Sequence, residues 1–341
     1  MVRIGIVGVG FMGMIHFYGA KKLRGGKVTA ICTRNPRKLA GDWSSIQGNF
    51  GPRGSRNEDL TAVARYSEIT QLLHDPKVDL VDICLPTDQH AAAAIAALRA
   101  GKHVLVEKSI ALELRDANHM VAEAKRTGRH LLVAHVLPFF PEFAFARQVI
   151  QSGQYGKLIG AHFKRIISKP TWSEDIASLE KTGGPGVDLH IHDTHFIGLV
   201  CGVPKQVYAR GTTEDGYVQY LTTHYLYDDP TLCVTCSSGA ICQPGRPFVH
   251  GYEIYLEKAT LLYESGTQPL AVLTADGKTA HPKLGSGDPI VAFTAELQHA
   301  IQVIRGKVAA AELASELARH ALLLCQREAQ SVLTGRPVSV I

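Results

Sequence analysis

The first 135 residues alternate between short apolar runs and longer amphipathic ones. VRIGIVG at 2–8 is apolar without a break, as in a strand buried on both faces. FMGMIHFYGAKKL at 11–23 changes to helical periodicity. There follow VTAICT (strand), SEITQLLHD (helix), VDLVDICLP (strand), HAAAAIAALRAG (helix), HVLVEK (strand), ELRDANHMVAEAKRTG (helix) and HLLVAH (strand). Gly101 and Gly128 end two of these helices and suit left-handed C-caps. Repeated βα units predict an α/β domain over 1–135, with a parallel, doubly wound sheet.

From 136 onward the rhythm differs. A helical segment, EFAFARQVIQSG, precedes KLIGAHFKRI, a loop, and VDLHIHDTHFIGLVCG, which has helical spacing. The runs KQVYARGTT, VQYLTTHYLYD, TLCVTCSSG and HGYEIYLEKATLLYE then follow without helices between them. This predicts a second, α+β domain over 136–341 with a mainly antiparallel sheet. Two helices close the chain, about 290–305 and 311–334, and the C-terminal helix is a candidate to pack back on the first domain.

Composition narrows the class. The 341 residues are 45% apolar and 20% charged, with net charge +5. That is an ordinary globular balance with a mildly positive field, which suits an anionic ligand. No Lys/Arg block suggests a nucleic-acid partner, and no run approaches the ~18 apolar residues of a membrane span. No signal-peptide pattern opens the chain, and seven scattered cysteines read as thiols in a reducing compartment, so the expected location is cytoplasmic. Cys233 and Cys236 form a C-x-x-C inside a predicted strand. Positions three apart there face opposite ways, so a zinc or redox pair is not expected.

GVGFMG at 8–13 lies between the first strand and the first helix, which is the context a dinucleotide fingerprint requires. Gly8 allows the tight turn, Gly10 lets a pyrophosphate approach the helix N-terminus, and Gly13 lets the helix pack closely on the sheet. Gly8, Gly10, Phe11, Met12 and Gly13 are therefore expected to bind a cofactor. The second strand ends in CTRNPRK. An NAD site usually has Asp or Glu there, ~20 residues beyond the loop. Here stand Thr33 and Arg34, with Arg37 and Lys38 close behind. A guanidinium pairs with a 2′-phosphate that a carboxylate would repel, so NADP is favoured over NAD.

CLPTDQHAAAAIAALRAGKHVLVEKS at 84–109 resembles the Gfo/Idh/MocA oxidoreductases, which include glucose–fructose oxidoreductase and inositol dehydrogenase. The likeness extends from IGIVGVGFMG through SGQYGKLIG (152–160) and the GG…D…H segment (183–192) to LTGRPVSV (333–340). The resemblance implies a Rossmann domain, then a domain with a large open-faced antiparallel sheet, and an active site in the cleft between them. It implies hydride transfer between NAD(P) and a secondary alcohol or ketone of a sugar, cyclitol or related polyol. It also implies a homodimer or homotetramer formed through the open sheet. By position, Pro86, Thr87 and His90 would lie along the cofactor. Glu107 and Lys108 match the family's Glu-Lys pair and are further cofactor-binding candidates, and Asp188 and His192 match its Asp-x-x-x-His.

The catalytic candidates are Lys108, Asp188 and His192. Lys108 ends a parallel strand, where ligands of such sheets bind, and an amine there can exchange the hydroxyl proton. Asp188 and His192 are four apart and share a helix face, with His195 seven from Asp188. His192 is the first choice of general acid/base. The chain departs from the family at His190, Ser109 and Pro138-Phe139, where Gly, Pro and Arg-Phe are usual. His135 and His190 are accordingly the candidate substrate contacts. The histidine-rich segment also raises a metal site, but His190 and His192 in one helix lie ~200° apart, so none is expected. Two other readings remain: a redox-neutral enzyme that oxidises transiently with bound cofactor and cleaves a C–O bond, and a non-catalytic cofactor sensor.

Overall fold

A computed structural model describes residues 1–48, 50–169, 178–285 and 287–340. The chain forms two compact units. The first comprises Met1–Phe139 and Asp288–Arg319, the second Phe140–Gly287 and His320–Ile341. The helix at about 290–305 therefore belongs with the first unit, across the linear boundary expected at 135.

In the first unit the strands are β1 (Val2–Val7), β2 (Gly26–Cys32), β3 (Ala64–Tyr66), β4 (Leu80–Ile83), β5 (His103–Glu107) and β6 (Leu131–Ala134). They form a parallel sheet in the order β3-β2-β1-β4-β5-β6. The order reverses between β1 and β4, and ligands of such sheets bind at the carboxyl ends beside that switch. β4 and β6 are buried at every position, as their predominantly apolar character predicts. The one polar residue within β4, Asp82, is buried as well. Helix α1 (Phe11–Ala20) follows β1 and packs against the later helix Ile290–Ile304. α2 (Pro36–Leu39), α3 (Ile69–His74), α4 (His90–Arg99) and α5 (Leu114–Thr127) complete the crossovers. Gly101 and Gly128 both have positive φ, 75° and 64°. The edge strand β3 is only three residues long, too short to carry a periodic signal.

The second unit begins with α6 (Pro141–Ser152) and the long strand β7 (Leu158–Ser168). Its helices α7 (Leu179–Thr182), α8 (Pro185–Asp188) and α9 (Ile191–Cys201) precede strands β8 (Gln206–Glu214), β9 (Tyr217–Leu226) and β10 (Cys233–Cys242). Then come β11 (Val249–Leu256), β12 (Ala259–Glu264), β13 (Gln268–Thr274), β14 (Thr279–Ala280) and the C-terminal β15 (Val338–Ser339). Helices α10 (Ile290–Ile304) and α11 (Ser315–Thr334) intervene before β15. The nine strands order as β14-β13-β12-β11-β7-β10-β9-β8-β15, and only the β7–β10 pair is parallel. The run HGYEIYLEKATLLYE is a hairpin rather than one strand. It turns at Glu257-Lys258, and Leu256 pairs with Ala259.

Alternation along these strands sorts the faces. Phe163 is buried and meets Phe196 of α9 edge-on at 5.9 Å, which fixes the packed face. The other face carries His162, Thr222, His224, Thr235 and Ser237 in adjacent register. They are joined by hydrogen bonds such as His162–Thr235 (2.8 Å) and Thr222–Ser237 (3.0 Å). This face is a polar ladder, with larger apolar surface at positions such as Tyr255 and Leu226.

Candidate active site

The glycine loop has the stereochemistry that its spacing predicts. Gly8 turns with φ 96°, and a Cβ there would lie 2.5 Å from the Cys84 carbonyl oxygen. A Cβ on Gly13 would lie 2.0 Å from Gly8 O, so this helix cannot sit so close with any larger residue. A Cβ on Gly10 would meet nothing within 4 Å: here the backbone faces open space. The N-terminus of α1 has no side-chain cap and no acidic residue in its first turn. An uncapped helix start behind a bare glycine fits the pyrophosphate of a dinucleotide. Phe11 and Met12 are half-buried at this turn, Phe11 edge-on to Phe50 at 4.8 Å.

At the end of β2, Thr33 is half-buried and its hydroxyl accepts from the Asn35 N–H at 3.3 Å. Asn35 caps α2 by accepting from the Arg37 and Lys38 N–H groups. Arg34 and Arg37 are exposed. Lys38 instead folds back and donates to Val9 O at 2.7 Å, tying α2 to the glycine loop, and burial lowers its pKa. The 33–38 turn thus presents cations and no carboxylate.

Pro86 and Thr87 are half-buried just beyond β4. His90 is fully buried, its two ring nitrogens 2.8 Å from Leu85 O and 2.7 Å from Ser109 O. It is a clamp between the loops after β4 and β5, and burial lowers its pKa. Lys108 is half-buried directly after β5, and the Lys108–Ser109 peptide is cis. The Glu107 carboxylate turns inward: Oε2 accepts from the Lys108 N–H at 3.1 Å, and Oε1 lies 3.2 Å from His16 Nε2.

In the second unit the expected helix over 187–202 is interrupted: α8 ends at Asp188 and α9 starts at Ile191, with His190 at its N-cap. Asp188 and His192 are half-buried, whereas His190, Asp193 and His195 are fully buried. His190 Nε2 lies 2.9 Å from Glu328 Oε2 of α11. Burial disfavours its imidazolium, but the charges of Glu328 and Asp193 outweigh this and raise its pKa. Arg165 on β7 holds Asp193 through two hydrogen bonds, 2.7 and 3.2 Å. The structure therefore gives His190 an interior ion pair, and it buries His135, in the first unit, completely. Cys233 is exposed and Cys236 buried, as opposite strand faces require. Cys236 lies near His190 and Asp193, but burial holds it as a thiol and Asp193 already pairs with Arg165. That donor set does not suit a metal cation.

Sequence reasoning missed His16, Asp82 and Glu296 in the first unit, and Arg165 and Glu328 in the second. A signal existed for some of them. His16 interrupts the apolar face of α1, and Asp82 sits inside an otherwise apolar strand.

The Rossmann sheet and this loop define a dinucleotide-binding domain. Residues 2–135 match the oxidoreductase family with an NAD-binding Rossmann fold, and residues 143–262 match the GFO/IDH/MocA C-terminal domain. The chain belongs to the Gfo/Idh/MocA oxidoreductase family. The myo-inositol 2-dehydrogenase of Thermotoga maritima is 26% identical over 284 residues, spanning 80% of this chain and 78% of that one. The scyllo-inositol 2-dehydrogenase (NAD(+)) of Bacillus subtilis is 25% identical over 325 residues, spanning 89% and 86%. A crystal structure of an oxidoreductase from Desulfitobacterium hafniense, described as NADPH-dependent, superposes with a TM-score of 0.82. It covers 99% of this chain and 98% of that one at 20% identity, a likeness of fold. No helix among the described residues is long and apolar enough to cross a membrane.

Proposed function

We propose that this oxidoreductase transfers a hydride between NADP and a secondary alcohol or ketone of a sugar, cyclitol or related polyol. The observation that carries the reading is the position of Lys108 at the carboxyl end of β5, on the same sheet edge as the glycine loop. A nicotinamide held at the glycine loop would supply or accept the hydride. Lys108 and His192 act as partners in exchanging the one hydroxyl proton, His192 as general acid/base, and Asp188 accepts a hydrogen bond from a substrate hydroxyl. Pro86 and Thr87 would line the cofactor. The inositol dehydrogenases among the relatives support a cyclitol-like substrate. For the cofactor, Arg34 is the exposed cation where a carboxylate would select NAD. Assembly into a dimer or tetramer uses the outer face of the nine-stranded sheet, and light scattering that returned a monomer would remove that part.

The test is steady-state turnover of a polyol panel, myo-inositol first, with NADP and with NAD. Replacing Lys108 with Met is expected to lower kcat at least 100-fold, within the range of general acid–base catalysis. Arg34→Ala is expected to raise KM for NADP about 10-fold and leave KM for NAD nearly unchanged. Equal use of both cofactors by the parent chain would overturn the NADP preference alone. Full activity in the Lys108→Met variant would overturn the mechanism.

A further inference from the structure

The first unit buries a cluster that the proposed reaction leaves unused. His16, Asp82 and Glu296 are at most 1% exposed, and Glu107 is 7% exposed. His16 Nδ1 lies 2.9 Å from Asp82 Oδ2 on β4. Its other nitrogen faces two carboxyls, Glu107 Oε1 on β5 at 3.2 Å and Glu296 Oε2 on α10 at 3.9 Å. Cys84, 3.6 Å from His16 Nδ1, is the remaining polar neighbour, and Phe293 closes the ring's other side at 6.1 Å. We propose that His16 is a positioning residue for Lys108: it draws the Glu107 carboxylate into the strand end, and Glu107 fixes the Lys108 backbone by accepting its N–H.

Three observations support this. One carboxylate oxygen of Glu107 accepts from the Lys108 N–H and the other lies at ion-pair distance, 3.2 Å, from His16 Nε2 without hydrogen-bond geometry, so the carboxylate is held from inside the protein. His16 lies three residues beyond Gly13, on the helix that starts at the cofactor loop. The same imidazole therefore ties the glycine-loop helix to the strand that ends at Lys108. Finally, the charges suit the role. Burial opposes an imidazolium, but Asp82 and the neighbouring groups raise the His16 pKa well above its ordinary value. Burial, with Glu107 and Asp82 nearby, raises that of Glu296, which keeps its proton. His16 then lies between Asp82 and Glu107, within 3.2 Å of a carboxylate oxygen of each. A metal at His16, Asp82 and Cys84 is disfavoured, because burial and Asp82 keep Cys84 a thiol. On this view Glu107 acts through Lys108 rather than on the cofactor. The inference rests on Lys108 being the proton-exchanging group.

The experiment is reductive ¹³C-methylation of the full chain with NADP bound. The Lys108 resonance is identified by its loss in Lys108→Arg. Cofactor dissociation constants and myo-inositol kinetics are measured beside it. His16→Gln and Glu107→Ala are expected to shift the Lys108 resonance and lower kcat about 30-fold. The NADP dissociation constant should stay within about threefold. Glu107→Gln keeps an acceptor for the Lys108 N–H and should recover part of both effects. The His16→Gln/Glu107→Ala double variant should be no worse than Glu107→Ala, because both act through one chain of contacts. An unmoved Lys108 resonance in Glu107→Ala, or additive losses in the double variant, would overturn the inference. The resonance decides even where myo-inositol is not turned over, and the Glu107 variants decide even where His16→Gln fails to fold. If Lys108→Met is inactive while Glu107→Ala and His16→Gln match the parent, only this inference falls. If Lys108→Met is fully active, the functional reading falls first.

Discussion

Each unit buries a histidine among carboxylates, and the two clusters are balanced differently. Around His16 three carboxyls, Asp82, Glu107 and Glu296, face one imidazole. Around His190 two cationic groups, Arg165 and His190, face two carboxylates, Asp193 and Glu328. The second set can be fully ionised and still neutral overall. The first cannot, because its three carboxyls outnumber its one imidazole, and burial favours a proton on Glu296. A balanced buried network resists change in its charge state. A carboxyl-rich one is responsive, and it is the one next to the candidate proton-exchanging lysine.

Breaking the balance in the second unit should have the largest effect. Arg165→Met leaves Asp193 buried without its bidentate partner, at an expected cost of about 3–5 kcal/mol. Denaturant unfolding measures it, and Arg165→Met/Asp193→Leu should recover most of the loss. If the single variant costs under about 1 kcal/mol, the pair is not the anchor described here.

Next comes His250, whose pKa burial lowers to about 3, with Arg165 contributing. A histidine lowered in the folded state stabilises the fold above its unfolded pKa of ~6.5. That stability is lost as pH falls from there toward 3. His250→Phe should therefore narrow the stability gap between pH 7.5 and pH 4.5 by about 2–3 kcal/mol. An unchanged gap would show that Arg165 and burial do not act on this ring.

A third measurement tests the stored proton. Glu296 is an acid with a raised folded pKa, so its contribution is intact below ~4.5 and is lost as pH rises above that. Glu296→Gln cannot lose a proton. It should equal the parent near pH 4.5 and become relatively more stable with rising pH, by no more than about 1.4 kcal/mol per unit. Parallel pH–stability curves for the two chains would mean that Glu296 is ionised and the clusters do not differ as argued.

Much of the fold was legible because its signals are local. The apolar β1 and β4, the amphipathic α5 and the glycine turn at 8–13 each follow from neighbours within a few residues. So did the two-sheet architecture, since βα alternation and helix-free strand runs pack differently. The edge strand β3 was too short to show, and the Glu257-Lys258 turn was hidden in an apolar-rich run. Among the candidate residues, the sequence marked Lys108, Asp188 and His192, which are half-buried. It could not separate them from His135 and His190, which the fold encloses. All are polar residues in apolar surroundings, and spacing alone does not tell which way each is turned.

The sequence by itself determined the element types, the glycine stereochemistry and a carboxylate-free turn after β2. Period, turn chemistry and residue charge depend on the local chain. Only the tertiary structure decided that His16 meets Glu107, that Arg165 meets Asp193 and that His90 joins two loops. Those partners are distant in the chain. Crossing order and strand register bring them together, and buried charges must then find one another because water cannot serve them.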